Sequence, residues 1–265
     1  MIDFHNHILP RIDDGSKSLE MSINMLLEAE RQGITDVINT VHFQHPKMYG
    51  KDITYDIIKK EVEILQKTLV LEGIKIKIHL GAEVFFLPNL MEIKENPIST
   101  MGGGKYMLIE FYPFHLPPDF DKHLYKLKLS GTTPIIAHPE RNSVIQQDIT
   151  ILDRLIDSGC LVQVDAGSLI GHFGPKCKEV SGLLLQRNMV HLLGSDAHND
   201  KKRNFCLLKA NEISRGLIGD DVDTLILDNP SKLISGEEII PFSIKEIIKK
   251  NSFFLGLFNH KNKVT

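Results

Sequence analysis

Short apolar runs alternate along the chain with segments whose apolar residues recur at helical spacing. Residues 2–5, 36–41, 75–83, 106–111, 134–138, 161–165 and 190–195 read as buried strands. Residues 19–32 carry Ile23, Leu26 and Leu27 at helical spacing and stop at Gly33. Residues 55–71 repeat the pattern with Ile57, Ile58, Val62, Leu65 and Leu69 and stop near Gly73. Residues 148–158 end at Gly159, and residues 175–188 open with proline. Such punctuation suits helices, because proline is tolerated in the first turn and glycine takes the left-handed conformation just past the last. Strands alternating with helices predict an α/β fold with a parallel sheet or barrel. A chain of 265 residues suits one (β/α) barrel better than two domains.

Composition narrows the function classes. A net charge of -3 gives no reason to expect nucleic acid as a partner. Cys160, Cys177 and Cys206 are odd in number and widely spaced, which reads as reduced structural cysteine in a cytoplasmic protein. The opening residues MIDFH lack the charged and apolar regions of a secretory signal. No stretch reaches the roughly 18 apolar residues that a membrane span needs.

The ends of the predicted strands change the picture. In order they carry His5 and His7, then His42, Glu83, Glu110, His138, Asp165, and finally Asp196 and His198. Residues two apart on a strand share a face, so His5 and His7 can aim two imidazoles at one point. All strand C-termini of a parallel barrel open on one face, where barrel enzymes keep their active sites. A single histidine there is most often a surface or satisfied core residue. Seven successive strand ends bearing His, Glu or Asp are not explained that way, because buried carboxylates need cations or hydrogen bonds to offset desolvation. Imidazoles and carboxylates without thiolates point to a multinuclear site for Mn²⁺, Fe²⁺ or Zn²⁺.

These residues carry a resemblance. MIDFHNHILPRIDDG, the TVH ending at His42, GAEV around Glu83, LIEF around Glu110, IAHPERN and SDAHN resemble the PHP (polymerase and histidinol phosphatase) superfamily. More closely, they are similar to its bacterial manganese-dependent protein-tyrosine phosphatases of capsule and exopolysaccharide synthesis. HPERN together with SDAHNDKKRNF is specific to that branch. The resemblance implies a distorted seven-stranded (β/α) TIM-like barrel, with three divalent metals, most commonly Mn²⁺, at the strand C-termini. It implies His5, His7, Glu83 and Asp196 at the first metal, Glu83, Glu110 and His138 at the second, and Asp14, His42 and His198 at the third. Arg141 and Arg203 match the family's phosphate-binding arginines. Two departures stand out. Where the family usually shows T-P-H-H this chain has T-V-H-F, which keeps His42 but replaces its neighbour by Phe43, with His45 two residues on. Near Asp165 the family often has a small or hydroxyl residue, so Asp165 is read as a supporting carboxylate.

Phosphate esters hydrolyse very slowly unaided, and a metal-bound water of lowered pKa can attack as hydroxide. Guanidinium stays charged and grips phosphate oxygens in pairs, which suits Arg141 and Arg203. Cysteine-based tyrosine phosphatases need a C-x5-R loop, and none of the three cysteines has one. The expectation is therefore a tyrosine phosphatase working by direct attack of metal-bound hydroxide. Its expected substrate is a phosphotyrosine protein, the tail of a bacterial tyrosine kinase. A histidinol-phosphate-type phosphatase and a non-catalytic metal-binding regulatory module are the alternatives. His45, Tyr112 and His115 are candidates to line the pocket, and Phe43, Met48 and Tyr49 to pack a phenyl ring. The turn-rich stretch DAGSLIGHFG lacks the spacing of a phosphate-binding loop. Residues 1–241 read as the barrel, and residues 242–265 as a basic and apolar tail of the same domain. That tail reads first as a last helix docked on the barrel, and second as a peripheral membrane contact.

Overall fold

A computed structural model describes residues 1–51 and 53–246. Seven strands form one parallel sheet in sequence order: β1 (Ile2–Asn6), β2 (Asp36–Phe43), β3 (Lys77–Phe85), β4 (Tyr106–Glu110), β5 (Thr133–Ala137), β6 (Leu161–Asp165) and β7 (Leu192–Gly194). The sheet curls until its edges meet. His7 N donates to the Ala197 carbonyl at 2.8 Å, and Asp196 N to the His5 carbonyl at 2.7 Å. Closure leaves no space at Gly194, where a Cβ would come within 2.5 Å of His5 Cβ. The distortion lies in β1, whose pairing with β2 shifts register between Asp3 and Asn6. The expected seven-stranded barrel is thus the observed one.

The helices are α1 (Leu19–Arg31), α2 (Tyr55–Leu71), α3 (Leu90–Ile93), α4 (Phe120–Leu129), α5 (Ser143–Gln147), α6 (Thr150–Asp157), α7 (Ala166–Ile170), α8 (Pro175–Gln186), α9 (Leu207–Ile218) and α10 (Asn229–Ser235). Ser18 and Thr54 cap α1 and α2 by accepting from Met21 N and Ile57 N, which satisfies amides that have no partner inside the helix. The face that α1 buries is Ser22, Met25, Leu26 and Ala29, while Leu27 is exposed. Of the apolar positions at helical spacing, Leu26 is buried, Ile23 packs partly against the core and Leu27 faces out. The real stripe includes Ser22, whose hydroxyl is buried because it donates to the Ile8 carbonyl at 2.6 Å.

Two apolar layers result. One joins the helices to the outside of the barrel, from Leu26 and Leu65 to Leu184 and Leu207. The other gathers Phe4, Ile38, Leu108, Ile135, Leu161 and Leu192, one residue from each of six strands, with Met101, Tyr106, Leu233 and Ile239. Side chains two apart share a strand face. Ile38 therefore lies on the same face as His42, Leu108 as Glu110, and Leu161 as Gln163 and Asp165. An apolar floor below a polar mouth follows directly.

The chain then crosses under that floor. Tyr106 Oη donates to the Glu237 carbonyl and accepts from Ile239 N at 3.0 Å. Lys245 N donates to the Arg187 carbonyl at 2.9 Å. Residues 242–246 thus lie against the barrel. The remaining tail residues, on which the membrane reading rests, lie outside the described residues. Among the described residues no helix is long and apolar enough to cross a membrane.

Candidate metal centre

Strand ends and the loops after them bring every predicted ligand to one mouth. His7 lies under the turn that follows β1. Gly15 packs so tightly there that a Cβ would sit 2.2 Å from the His7 carbonyl oxygen, so only glycine lets the acidic pair fold back over the imidazole. Asp13 Oδ2 takes the proton of His7 Nδ1 at 2.8 Å and accepts from His42 N at 3.2 Å. Asp14 Oδ1 stands 3.3 Å from both His42 Nε2 and His198 Nε2. Two further ligand candidates sit in a backbone conformation that L-residues rarely adopt, His138 at φ 31° and Asp196 at φ 46°. Such strain persists only where the surroundings impose it, and it concentrates at functional sites.

Potential donor atoms fall into four groups, each with atoms within 4.8 Å of one another: His7–Asp14–His42–His198, His5–His7–Asp196, His5–Glu83–His138 and His42–Glu83–Glu110. Glu83 bridges, with Oε1 2.7 Å from His138 Nε2, and Oε2 3.3 Å from His5 Nε2 and 3.1 Å from His42 Nδ1. These groups cut across the three expected ligand sets: His7 joins Asp14, His42 and His198 as well as His5 and Asp196. Glu110 differs, standing 3.4 Å from His42 Nδ1 and grouped with it rather than with His138.

Hydrogen bonding tests whether cations fit. Gln163 Oε1 accepts from His138 N, so it is an acceptor, and His5 Nδ1 faces it at 3.1 Å and must carry the proton. His7 Nδ1 carries its proton toward Asp13. Both Nε2 atoms therefore present lone pairs, and they face each other at 3.3 Å. When both rings are neutral two lone pairs at that distance repel, and the repulsion is relieved either by protons that Glu83 and Asp196 draw onto the imidazoles or by a metal cation between them. His42 Nδ1, Asp14 Oδ1 and Glu110 Oε2 are also buried with no hydrogen-bond partner among the described residues. Unpartnered buried polar atoms are costly, and divalent cations would satisfy all of them. The residues present fit metal ions of the His and carboxylate type.

Electrostatics agree. Burial opposes a charge on His42, but Glu83, Asp14 and Glu110 outweigh it and push its pKa up. Burial likewise opposes charge on His7, which Asp13 raises well above the usual imidazole range. Burial would lift the Glu83 carboxyl, yet His5 and His42 hold it well below its ordinary range. Glu83, Asp14 and Asp196, all held below the ordinary carboxylate range by the imidazoles around them, thus stay ionised and demand positive charge. His198 behaves differently: burial and His7 push its pKa down, which leaves a neutral imidazole. Its Nδ1 donates to the Asp196 carbonyl at 2.8 Å, so the lone pair on Nε2 faces Asp14.

Arg141 and Arg203 border this centre. Arg141 Nη1 and Arg203 Nη2 each donate to Asp196 Oδ2 at 2.6 Å, while Asp196 Oδ1 turns toward His7 at 3.3 Å. Arg141 also meets Asp165 Oδ2 at 3.2 Å. Asp165 is therefore an arginine partner, in keeping with its reading as a supporting carboxylate. Three supports stand behind the ligands: Asp13, which the sequence shows close after His7 without fixing this role, and two that sequence reasoning missed, Gln163 behind His5 and His138, and Asp3. Asp3 Oδ2 accepts from Ser195 N at 3.0 Å and from Ser195 Oγ at 2.5 Å, beside Asp196. The available signal was chemical: a metal-binding histidine needs a partner on its other ring nitrogen.

His45 is buried, with its ring 4.8 Å from that of His42 and 5.0 Å from that of Phe85. Tyr49 is 98% exposed and walls nothing. An aromatic wall forms instead at the ends of β3 and β4. Phe85, Phe86, Leu87, Pro88, Phe111 and Tyr112 line an apolar cleft of about 240 Å³, closed by His115 and Pro117. The cysteines take no part: all three are buried and free, and burial raises the thiol of Cys160 to about 11.

Fold and mouth together define the class, a seven-stranded α/β barrel with a candidate metal centre at its C-terminal mouth. The match to the family of capsular polysaccharide synthesis proteins CpsB/CapC covers residues 1–235, and the chain belongs to that family. It is 33% identical over 240 residues to the tyrosine-protein phosphatase YwqE of Bacillus subtilis, covering 90% of this chain and 93% of that one. It is 31% identical to the tyrosine-protein phosphatase CpsB of Streptococcus pneumoniae, covering 90% of this chain and all (100%) of the other. A solved structure from work on YwqE and CpsB, described as metal-dependent tyrosine phosphatases, superposes with a TM-score of 0.87 at 32% identity, over 94% of this chain and 100% of that one. A histidinol phosphate phosphatase from Lactococcus lactis shares the fold, with a TM-score of 0.51 at 18% identity over 82% of this chain and 92% of that one.

Proposed function

We propose that the protein is a metal-dependent protein-tyrosine phosphatase of capsule or exopolysaccharide synthesis. Its substrate is phosphotyrosine in a protein, the tail of a bacterial tyrosine kinase. The observation that carries this reading is one mouth holding nine candidate ligands, two paired arginines and an aromatic cleft. His5, His7, Glu83 and Asp196 would hold one metal, Glu83, Glu110 and His138 a second, and Asp14, His42 and His198 a third. The ligand types suit Mn²⁺, with Fe²⁺ or Zn²⁺ as substitutes. When bound, such metals supply a water of lowered pKa and positive charge against the phosphoryl oxygens.

The chain's own residues do the rest. Arg141 and Arg203 stay charged, and for Arg141 burial opposes this while Asp196 and Asp165 enforce it. Both present guanidinium N–H groups at the rim, where they bind the phosphoryl oxygens and stabilise charge during transfer. The cleft between Phe85 and Tyr112 gives a phenyl ring an apolar wall next to Glu110. That wall favours an aryl phosphate over the imidazole alcohol of histidinol phosphate. Asp13, Gln163 and Asp3 hold the ligands in place and touch no substrate.

The test compares phosphotyrosine peptides with histidinol phosphate, with Mn²⁺ and with chelator. Mn²⁺-dependent hydrolysis of the peptides, abolished by chelator, is expected. Faster turnover of histidinol phosphate would transfer the assignment to the small-molecule class. No hydrolysis of either would refute the enzyme reading.

A further inference from the structure

Behind the arginines lies an aromatic ring that the metal chemistry does not use. Phe173 sits between α7 and α8, in the turn-rich stretch that lacks a phosphate-loop spacing. Its ring centroid is 4.5 Å from Arg141 Cζ and 5.6 Å from Arg203 Cζ. The ring is held from behind. His172 N donates to the Gly167 carbonyl at 2.8 Å, and a Cβ on Gly167 would come within 2.9 Å of Phe173 Cε2.

Both guanidiniums donate to one oxygen, Asp196 Oδ2. Two cations gathered there repel each other, and the other oxygen of Asp196 is engaged with His7. The face of an aromatic ring is negative and attracts cations without offering a hydrogen-bond acceptor. Hydrogen bonds to a fixed carboxylate hold a guanidinium in one orientation. A ring face keeps its attraction while the guanidinium turns. A phosphoryl dianion arriving at the mouth would compete with Asp196 Oδ2 for these N–H groups, so the guanidiniums would have to turn from one acceptor to the other.

We propose that Phe173 is a positioning residue that gathers Arg141 and Arg203 into one phosphate clamp and lets both turn toward the phosphoryl group. The inference rests on the reading that these arginines bind phosphate. It assigns a role to the only aromatic residue in the stretch from Asp165 to Gly174.

The experiment uses the full chain loaded with Mn²⁺. Phe173→Leu removes the ring face and keeps an apolar side chain. Its dissociation constant for inorganic phosphate, measured by calorimetry, is expected to rise about tenfold, the scale of two partly buried cation–ring contacts. The KM for a phosphotyrosine peptide should rise in parallel, with kcat and thermal midpoint near wild type and Phe173→Tyr restoring both constants. Phe173→Trp gives a reading without turnover. The chain has no tryptophan (Trp 0), so fluorescence of the introduced indole should shift as phosphate is added, and should not shift in the Arg141→Ala background. Unchanged phosphate affinity in Phe173→Leu, an equal loss in Phe173→Tyr, or an indole blind to phosphate would overturn the clamp. So would a fall in kcat and thermal midpoint with phosphate affinity unchanged, which marks a merely structural loop. If wild-type protein binds phosphate but hydrolyses no phosphate ester, the phosphatase reading fails and the clamp stands.

Discussion

At the N-terminal end of the barrel the strands close over Phe4, Ile38, Leu108, Ile135, Leu161 and Leu192. At the C-terminal end the same strands close over imidazoles and carboxylates. Two buried histidines make the contrast concrete. His191 enters β7 at the floor, with Nδ1 accepting from Val162 N at 3.1 Å and Nε2 without a partner among the described residues. Burial alone acts on it and pushes its pKa from 6.5 down to about 4. His42 is buried at the mouth, and there Glu83, Asp14 and Glu110 overcome the same burial and push its pKa up. Burial by itself discharges an imidazole, and carboxylates close by reverse that. The floor can therefore be dry and neutral, whereas the mouth holds ionised carboxylates that call for cations.

The largest expected break in this contrast is Asp196→Ala. Asp196 joins the imidazoles of His5 and His7 to both arginines, so its loss disturbs the candidate metal site and the phosphate clamp together. Hydrolysis of a phosphotyrosine peptide should fall by at least about a thousandfold, about 4 kcal/mol in transition-state stabilisation. A variant within tenfold of wild type under saturating Mn²⁺ would remove Asp196 from the centre.

Gly194→Ala tests whether mouth and floor share one closure. The added methyl meets backbone as well as side chain, with His5 N at 2.7 Å. No rotamer can relieve that, so the seam between β1 and β7 must open, at a cost of about 3 kcal/mol. Chemical denaturation should show the loss of stability, and activity should fall with it because His5 moves. An unfolding midpoint equal to wild type would mean that the barrel tolerates a wider seam.

The smallest effect belongs to the floor and is a pH dependence. Unfolded His191 binds its proton near pH 6.5 and the folded residue only near pH 4. Between those values the folded state binds fewer protons, so stability falls as pH drops and levels off below about 4. From pH 7 to pH 5 the contribution is about 2 kcal/mol. Urea unfolding of wild type and His191→Gln at both pH values measures it, and the variant should lose less stability over that interval. Equal losses in the two proteins would show that His191 does not titrate differently on folding.

Much of this was legible along the chain, and the reasons are local. Each strand is an apolar run because both faces are covered, and a His, Glu or Asp stands within a few residues of its C-terminal end because the mouth opens there. The short helices α3, α5, α7 and α10 escaped, and so did the longer α4 and α9. Residues 120–129 interleave Lys122, His123, Lys126 and Lys128 with the apolar positions, and only Leu124 and Leu127 of α4 are buried. In α9 the buried face is Leu207, Ala210 and Ser214, too small and polar to stand out as a stripe.

The sequence by itself determined the fold class, the floor and the ligand types, since apolar runs and strand-end chemistry are properties of single segments. Only tertiary structure decided which donor atoms lie close enough to share a cation. The pairing of β2, β3 and β4 sets the heights of these strand ends, with His42 opposite Glu83 and Glu83 opposite Leu108, and Glu110 two residues further on stands 3.4 Å from His42 Nδ1. Only the fold, too, brought Asp13 behind His7, Gln163 between His5 and His138, and Phe173 onto both arginines. Apart from the Asp13–His7 pair, six residues apart, those contacts join segments far apart in sequence, and all of them depend on distances that no spacing along one strand encodes.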